Sequence, residues 1–481
     1  MVMDFWNAVG EMGGWPLVFL FVALLVAFAF EFINGFHDTA NAVTTVIYTR
    51  TLSATPAVLY SGVMNFLGAL LTVLAGGAAV AFSIVNLLPV DLLIDANSNA
   101  ALVMVLALLF AGVMWNLGTW YLGLPVSSSH TLIGSILGVG MANSLWKGEG
   151  LRGVNWAKAG EVGAGLLLSP LFGFVVAAAL LLVMRRTLKE PKLYEPPHDG
   201  DRPPRWVRVV LICTCGGVSF AHGSNDGQKG MGLLLLVLIG FMPVHYALNV
   251  NDPEKVPQLL HATNEVRAAY AKYEVPLPDA LDRDLRYVAG HLDGLGSLND
   301  LRTREEKDEN GQPKNVRWEV RQSLFRTNRE IKRAGADRGT PAEFRAELER
   351  VRKTRIAPTI EFVPVWVVVG TALALGIGTC VGYKRIVVTV AEKIGKTHLT
   401  YGQGAAAEAV AAATILAADM VKLPVSTTQV LSSGVAGTMV ANGSGVQGGT
   451  CRKILLAWAL TLPACMLLAG LLFTLGRLLV G

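Results

Sequence analysis

Leu124-Pro125-Val126-Ser127-Ser128-Ser129-His130 returns near the other end of the chain as Leu423-Pro424-Val425-Ser426-Thr427-Thr428-Gln429, and this repetition decides the fold. A second phrase is doubled as well: Gly35-Phe36-His37-Asp38 returns as Gly223-Ser224-Asn225-Asp226. Both pairs lie inside strongly apolar sequence. Two related halves, each with a hydroxyl cluster and a carboxylate at membrane depth, are the signature of a secondary transporter whose site lies between internal repeats.

The chemistry of the first phrase points to an anion. Proline fixes φ and favours the first turn of a helix. A helix is therefore expected to begin at the serines and to continue past Gly134 and Gly138. A helix that begins within the membrane presents unpaired N–H groups and a partial positive charge, the combination that binds phosphate-like anions. Ser127, Ser128 and Ser129 add neutral donors, and Ser426, Thr427 and Thr428 are expected to approach from the opposite face. Two such ends hold a tetrahedral oxyanion without a buried arginine. The competing reading is that these hydroxyls merely cap and pack helices, as is common in membranes.

Composition agrees with a membrane protein: 52% of the 481 residues are hydrophobic and 16% are charged, with a mean hydropathy of +0.46. Stretches such as Leu17–Ile33, Val103–Leu122, Gly163–Met184 and Ile454–Leu475 approach the roughly 20 residues that cross a bilayer as a helix. The 51 glycines suit close helix packing. Asp4 and Glu11 flank the first apolar stretch without Lys or Arg, which argues against a signal peptide. Cys213, Cys215, Cys380, Cys451 and Cys465 form no CxxC pair, so neither disulfides nor structural zinc are expected, and no cofactor is. The net charge of +5 fits cytoplasmic loops better than nucleic-acid binding.

Five crossings are expected per half: 16–49, 55–82, 100–122, 125–143 and 161–183, then 206–245, 360–383, 403–422, 425–443 and 455–478. Residues 16–49 and 206–245 exceed one straight span, and each is expected to break or bend at its Asp phrase. Fourteen Lys and Arg fall in the loops on one side, among them Arg50, Arg185, Arg208, Lys384 and Arg452. Five fall on the other: Lys147, Arg152, Lys158, Lys422 and Arg477. The richer side is cytoplasmic by the positive-inside rule. An odd number of crossings per half makes the repeats inverted and faces both termini outward. Residues 249–358 break the pattern, with 21 Lys+Arg against 19 Asp+Glu. They read as an extramembrane helical insert, outside by parity, with charged helices at Glu319–Ala334 and Pro341–Arg355. The expected protein is thus an all-α polytopic protein of the cell (inner or plasma) membrane, with two inverted repeats and discontinuous helices. Its divisions are 1–184 for the first repeat, 185–205 for a cytoplasmic linker, 206–248 with 359–481 for the second repeat, and 249–358 for the insert.

A carboxylate in the membrane is expensive and functional by default, and each needs a cation, a proton or a paired donor. Asn41 follows Asp38 by three residues and Lys229 follows Asp226 by three, which puts each pair on one helix face. Lys229 is expected to neutralise Asp226, while Asp38 and Asn41 are expected to hold a cation or a proton. His37, His130 and His222 lie beside the repeat phrases, and histidine titrates near neutral pH. Glu31, Glu161 and Glu408 are further intramembrane acids. Among them Glu408, ahead of the second hydroxyl cluster, is the preferred coupling residue. The candidates for a coupled ion or proton are therefore Asp38, Asp226, Glu408, His37 and His222.

The chain resembles the Pit-type inorganic phosphate transporter family. The resemblance rests on Asn34-Gly35-Phe36-His37-Asp38-Thr39-Ala40-Asn41-Ala42, on Ser219 to Gly230, on Ala372 to Thr379 and on Leu423 to Thr428. It covers nearly all of the membrane part and is nearest the bacterial low-affinity permeases of the PitA type. It implies phosphate uptake through two inverted repeats, with Asp38, Asn41, Ser127, Ser128, Ser129, Asp226, Ser426, Thr427 and Thr428 around the phosphate and its coupling ion. In that subgroup the resemblance implies a neutral metal–phosphate complex moved with a proton. Sodium-coupled relatives carry Asn where Lys229 stands and an acid where Asn65 stands. A fixed ammonium supplies the charge that bound Na⁺ would supply, so protons are expected and sodium is the alternative. The expected partners are phosphate, protons, a divalent metal ion travelling with the phosphate, the bilayer and, in the assembly, a second copy as homodimer. The rival readings are a permease of the same fold for sulfate or another oxyanion, an intramembrane hydrolase built on the Asp pair or on Ser129 with His130, and a structural or sensor protein.

Overall fold

A computed structural model gives the architecture. It describes residues 5–6, 9–10, 12–85, 87, 99–151, 154, 156–196, 203–250, 254–302, 304–307, 313–337, 339–420 and 425–480, without the side chains of Asn41 and Glu161 among others. Leu423 and Pro424 of the second repeat phrase lie outside the described residues. The helices in chain order are α1 (Trp15–Tyr48), α2 (Ala54–Leu74), α3 (Ala79–Val85), α4 (Asn99–Tyr121), α5 (Ser128–Trp146), α6 (Trp156–Thr187), α7 (Arg205–Phe241), α8 (Lys255–Lys272), α9 (Asp279–Leu292), α10 (Val316–Ala336), α11 (Ala342–Val351), α12 (Val365–Thr379), α13 (Tyr401–Met420), α14 (Thr427–Ala441) and α15 (Gly448–Val480).

Two compact units result. One comprises Gly14–Gly240 and Val365–Gly481. Leu167, Leu467 and Leu479 are among the large apolar side chains it leaves exposed, as lipid-facing helices require. Among the described residues six helices are long and apolar enough to cross a membrane, or seven if the bent pair Ala342–Ile360 and Val365–Thr379 is one span, against the ten crossings expected. The segments expected at 125–143, 360–383, 403–422 and 425–443 form α5, α12, α13 and α14. α12 is short at 15 residues, and α5, α13 and α14 are more polar because they hold the hydroxyl clusters, Gln403 and Glu408.

A correction concerns the Asp phrases. α1 and α7 run unbroken through Asp38 and Asp226 over 34 and 37 residues. Neighbouring side chains satisfy both carboxylates, so the backbone need not unwind to do so. The interruptions fall elsewhere: after Leu74, where α3 restarts at Ala79, and after Thr379.

The packing repeats as the sequence does, with the halves exchanged. A Cβ at Gly35 would lie 2.3 Å from Leu375 O, and one at Gly223 would lie 2.1 Å from Asn65 O. A Cβ at Gly378 would lie 2.1 Å from Phe32 O, and one at Gly68 would lie 2.1 Å from Phe220 O. Gly35 and Gly223, like Phe32 and Phe220, are 188 residues apart, the spacing of the Asp phrases, and Gly68 and Gly378, like Asn65 and Leu375, are 310 apart. The first-half α1 thus lies against the second-half α12 as the second-half α7 lies against the first-half α2. Only glycine permits backbones this close, as small-residue interfaces in membranes require.

The other unit comprises Met1–Gly13 and Phe241–Pro364. Leu259, Val266, Leu285, Leu324, Phe344 and Leu348 from α8 to α11 are buried in it, and Tyr270 packs edge-on to Phe344 at 4.9 Å. It also contains an antiparallel pair of strands, Glu305–Lys307 with Pro313–Asn315, so the chain is not strictly all-α.

Candidate functional site

Ser127 caps α5: its side chain accepts from His130 N. Ser426 caps α14 in the same way, accepting from Gln429 N. The helices begin where the two phrases predict. For these two hydroxyls the capping reading holds, because an oxygen that satisfies an orphan N–H is spent locally.

The next residues face one another. Thr427 Oγ1 donates to Asp38 Oδ2 at 3.2 Å, and Ser128 Oγ lies 3.5 Å from Asp38 Oδ2 and 3.5 Å from Asp226 Oδ2. Thr428 donates to Asp38 Oδ1. Lys229 Nζ donates to Asp226 Oδ1 at 2.6 Å, to Ser129 Oγ at 2.6 Å and to Val425 O at 2.8 Å. All these side chains are buried. Ser128 and Thr427, distant in sequence, meet on one carboxylate oxygen.

His222 joins the two acids. Its Nε2 lies 3.3 Å from Asp38 Oδ2 and 3.4 Å from Asp226 Oδ2. Its Nδ1 is 2.8 Å from Asn65 Oδ1, and Asn65 Nδ2 donates to Thr379 Oγ1 at 2.8 Å. Thr379 in turn donates to Leu375 O. This chain of donors fixes Nδ1–H on Asn65. A bare Nε2 lone pair facing two carboxylates would be repelled, so the trio Asp38–His222–Asp226 calls for one positive charge, which a proton on the imidazole or on an acid would supply. One ligand atom from each of the three lies within 4.8 Å of the others, a set that would also fit a cation.

Other expected residues take different places. His37 is fully buried, with Nδ1 3.8 Å from the oxygen of its neighbour Asp38. Glu408 is not brought to this cluster. It accepts from Thr45 and from Thr214 Oγ1 (2.6 Å), so it ties α13 to α1 and α7 about two turns beyond Asp38. The side chains of Asn41 and Glu161 lie outside the described residues. Several contributors were not picked out from sequence. Asn34 donates to Asp226 Oδ2 at 3.4 Å, Asn65 orients His222, and Asp419 accepts from Ser224 and Asn225. Asn34 was marked only as the first residue of the family phrase and Asn65 only as a departure from sodium-coupled relatives, while Asp419 had no signal beyond a polar side chain within an apolar window.

Comparison with known proteins gives this geometry its context. The profile of the Phosphate transporter family matches residues 34–469. The chain is 40% identical to the low-affinity inorganic phosphate transporter PitA of Escherichia coli K12, covering 94% of this chain and 96% of that protein. It is 38% identical to a low-affinity inorganic phosphate transporter of Buchnera aphidicola (subsp. Acyrthosiphon pisum), covering 96% and 97%. A solved structure titled "The sodium-dependent phosphate transporter" matches with a TM-score of 0.54 and 21% identity over 96% of this chain and 99% of that one, a likeness of fold. These relatives are transporters, not enzymes. By its profile, its relatives and its membrane-length helices, this membrane protein belongs to the Phosphate transporter family.

Proposed function

We propose that the protein imports inorganic phosphate across the cell (inner) membrane as a proton symporter, by alternating access between two inverted repeats. One observation carries this reading: the hydroxyls of both clusters converge on Asp38, beside Asp226, His222 and Lys229. The exchanged glycine contacts of the two halves support the inverted arrangement.

The charges favour protons. Asp38, Asp226, Lys229 and His222 sum to zero when one proton is shared among the trio. In this arrangement Asp38 holds the hydroxyls that a phosphate needs. Phosphate binding turns Ser128, Thr427 and Thr428 toward the substrate and removes those three hydroxyls from Asp38. A carboxylate left so buried takes up a positive charge, because the alternative costs several kcal/mol. A proton does this at Asp38, and Lys229 offsets the remaining charge on the anion. The capped ends of α5 and α14 add their partial positive charge. The repeats then rock and the site opens inward.

A divalent cation travelling with phosphate as a neutral complex is the finer form of this reading, with the trio as its contact. Sodium in place of the proton is the second reading, favoured by the same three ligand atoms within 4.8 Å. Phosphate counterflow in proteoliposomes, competed with sulfate and driven in turn by ΔpH and by Na⁺, tests all of them. Accumulation that requires Na⁺ and ignores ΔpH refutes proton coupling, and equal competition by sulfate refutes phosphate selectivity.

A further inference from the structure

Glu31 lies on α1 seven residues before Asp38, two turns away on the same face. It is fully buried, at 0% exposure, and neither carboxylate oxygen has a hydrogen-bond partner. The carboxyl group lies against the backbone of α7: a Cβ at Gly230 would sit 2.2 Å from Glu31 Oε2. Glycine at 230 therefore makes room for this acid directly after Lys229. Asn34 stands between Glu31 and the site. Its Nδ2 donates to Asp226, and its Oδ1 has no hydrogen-bond partner.

The charged groups that act on Glu31 from α7 are Asp226, His222 and Lys229, and Lys229 is already bound to Asp226. α4 and α12, which also pack on α1, contain no charged residue. α13 reaches α1 at Thr45 through Glu408, and the short charged helical segment 384–393 reaches it at Tyr48 through Glu392. An ionised Glu31 therefore has near it only the Asn34 amide, which donates to Asp226, and the cations His222 and Lys229, which lie against Asp226. Scaffold duplication does not account for it either. The corresponding position in the second half is Ser219, which bonds Ser61 Oγ and Cys215 O at 2.8 Å each.

We propose that Glu31 is a second proton-binding site of the transport cycle, distinct from the Asp38–His222–Asp226 trio. It holds a proton while α1 and α7 enclose it, and it releases that proton when the helices part and water or Lys229 reaches the carboxylate. The proton binds from one side of the membrane and leaves to the other, so the group ends each cycle as it began. This inference rests on the proton-coupled reading above and adds a residue to it.

The test uses the full chain in proteoliposomes, with two measurements on each variant. Phosphate counterflow at equal pH needs no net proton movement, whereas accumulation driven by an acid exterior does. Glu31→Gln keeps the shape of a protonated acid and cannot titrate. It is expected to retain counterflow within about twofold and to lose ΔpH-driven accumulation by about tenfold or more. Glu31→Asp is expected to keep the coupling with a displaced pH profile. Wild-type ΔpH drive in Glu31→Gln overturns the proposal. Should Glu31→Gln lose both activities, recovery of pH-dependent transport in Glu31→Asp supports it, and no recovery overturns it. Wild-type protein without phosphate counterflow would instead refute the phosphate reading.

Discussion

The two hydroxyl clusters are near copies in sequence and part company at their third residue. Ser127 and Ser426 cap their helices. Ser128 and Thr427 both reach Asp38 Oδ2. Ser129, however, takes a bond from Lys229 and donates to Val425 O at 3.1 Å, while Thr428 donates to Asp38. The cause lies on the neighbouring helices, where the second half has Lys229 at the position of Asn41 in the first. The two clusters thus approach Asp38 alike, and one ammonium makes them differ. Asp226 is held by Lys229, whereas Asp38 is held by hydroxyls and by His222, so Asp38 is the acid expected to change partners when phosphate binds.

Replacing the acids should break this comparison most severely. Asp38→Asn and Asp226→Asn are each expected to abolish uptake, by about 100-fold or more, without preventing membrane insertion, since each carboxylate anchors at least two bonds worth ~1.5–3 kcal/mol apiece. Radiolabelled uptake and membrane fractionation would show it. The two variants should differ in stability. Asp226→Asn strands a buried ammonium at a cost of about 3–5 kcal/mol, visible as an earlier unfolding transition in detergent, whereas Asp38→Asn strands no charge.

Lys229→Asn would make the halves alike at this position. It is expected to lower proton-driven uptake by about 10- to 100-fold, the range of one lost charge-assisted bond. Measured with imposed Na⁺ gradients, it is also expected to acquire sodium stimulation. Unchanged ΔpH dependence in that variant would show that the ammonium does not polarise the pair.

Ser128→Ala and Thr427→Ala should give a smaller and matched effect. Each removes one neutral donor, worth ~1 kcal/mol or about fivefold in phosphate affinity. Clearly unequal half-saturation values would contradict their equivalence.

The smallest effect lies in the charged unit that includes Phe241–Pro364. Arg267, and then Arg286, hold the Asp282 carboxyl below its usual range. A depressed native value contributes stability that is present above the ordinary Asp value and is lost as pH falls through the native one. Asp282→Asn should therefore flatten only the acid limb of the unfolding profile, near and below pH ~4, and leave phosphate uptake unchanged.

Much of this protein was legible from its residues. The apolar runs gave the membrane helices, because a bilayer demands their length and composition. The doubled phrases gave two helix starts bearing hydroxyls, because proline and Ser-rich turns specify a helix N-terminus locally. The i, i+3 spacing gave the Lys229–Asp226 pair. Periodicity could not show that α1 and α7 pass their acids unbroken, since a long apolar run with a buried charge suggests a break until the charge's partners are known. Nor did it exclude Glu408 from the cluster, for its partners Thr45 and Thr214 are remote in sequence.

What the chain alone determined is what short-range chemistry controls: which segments are helical, where they start, and which residues are too polar for lipid without a task. Tertiary structure decided the rest. Asp38 and Asp226 came within 3.4 Å of the same His222 nitrogen, Asn65 became the anchor of that imidazole, and Glu31 was enclosed against Gly230. Those relations depend on close backbone contacts between helices of opposite halves, which glycine permits and whose register no local rule specifies.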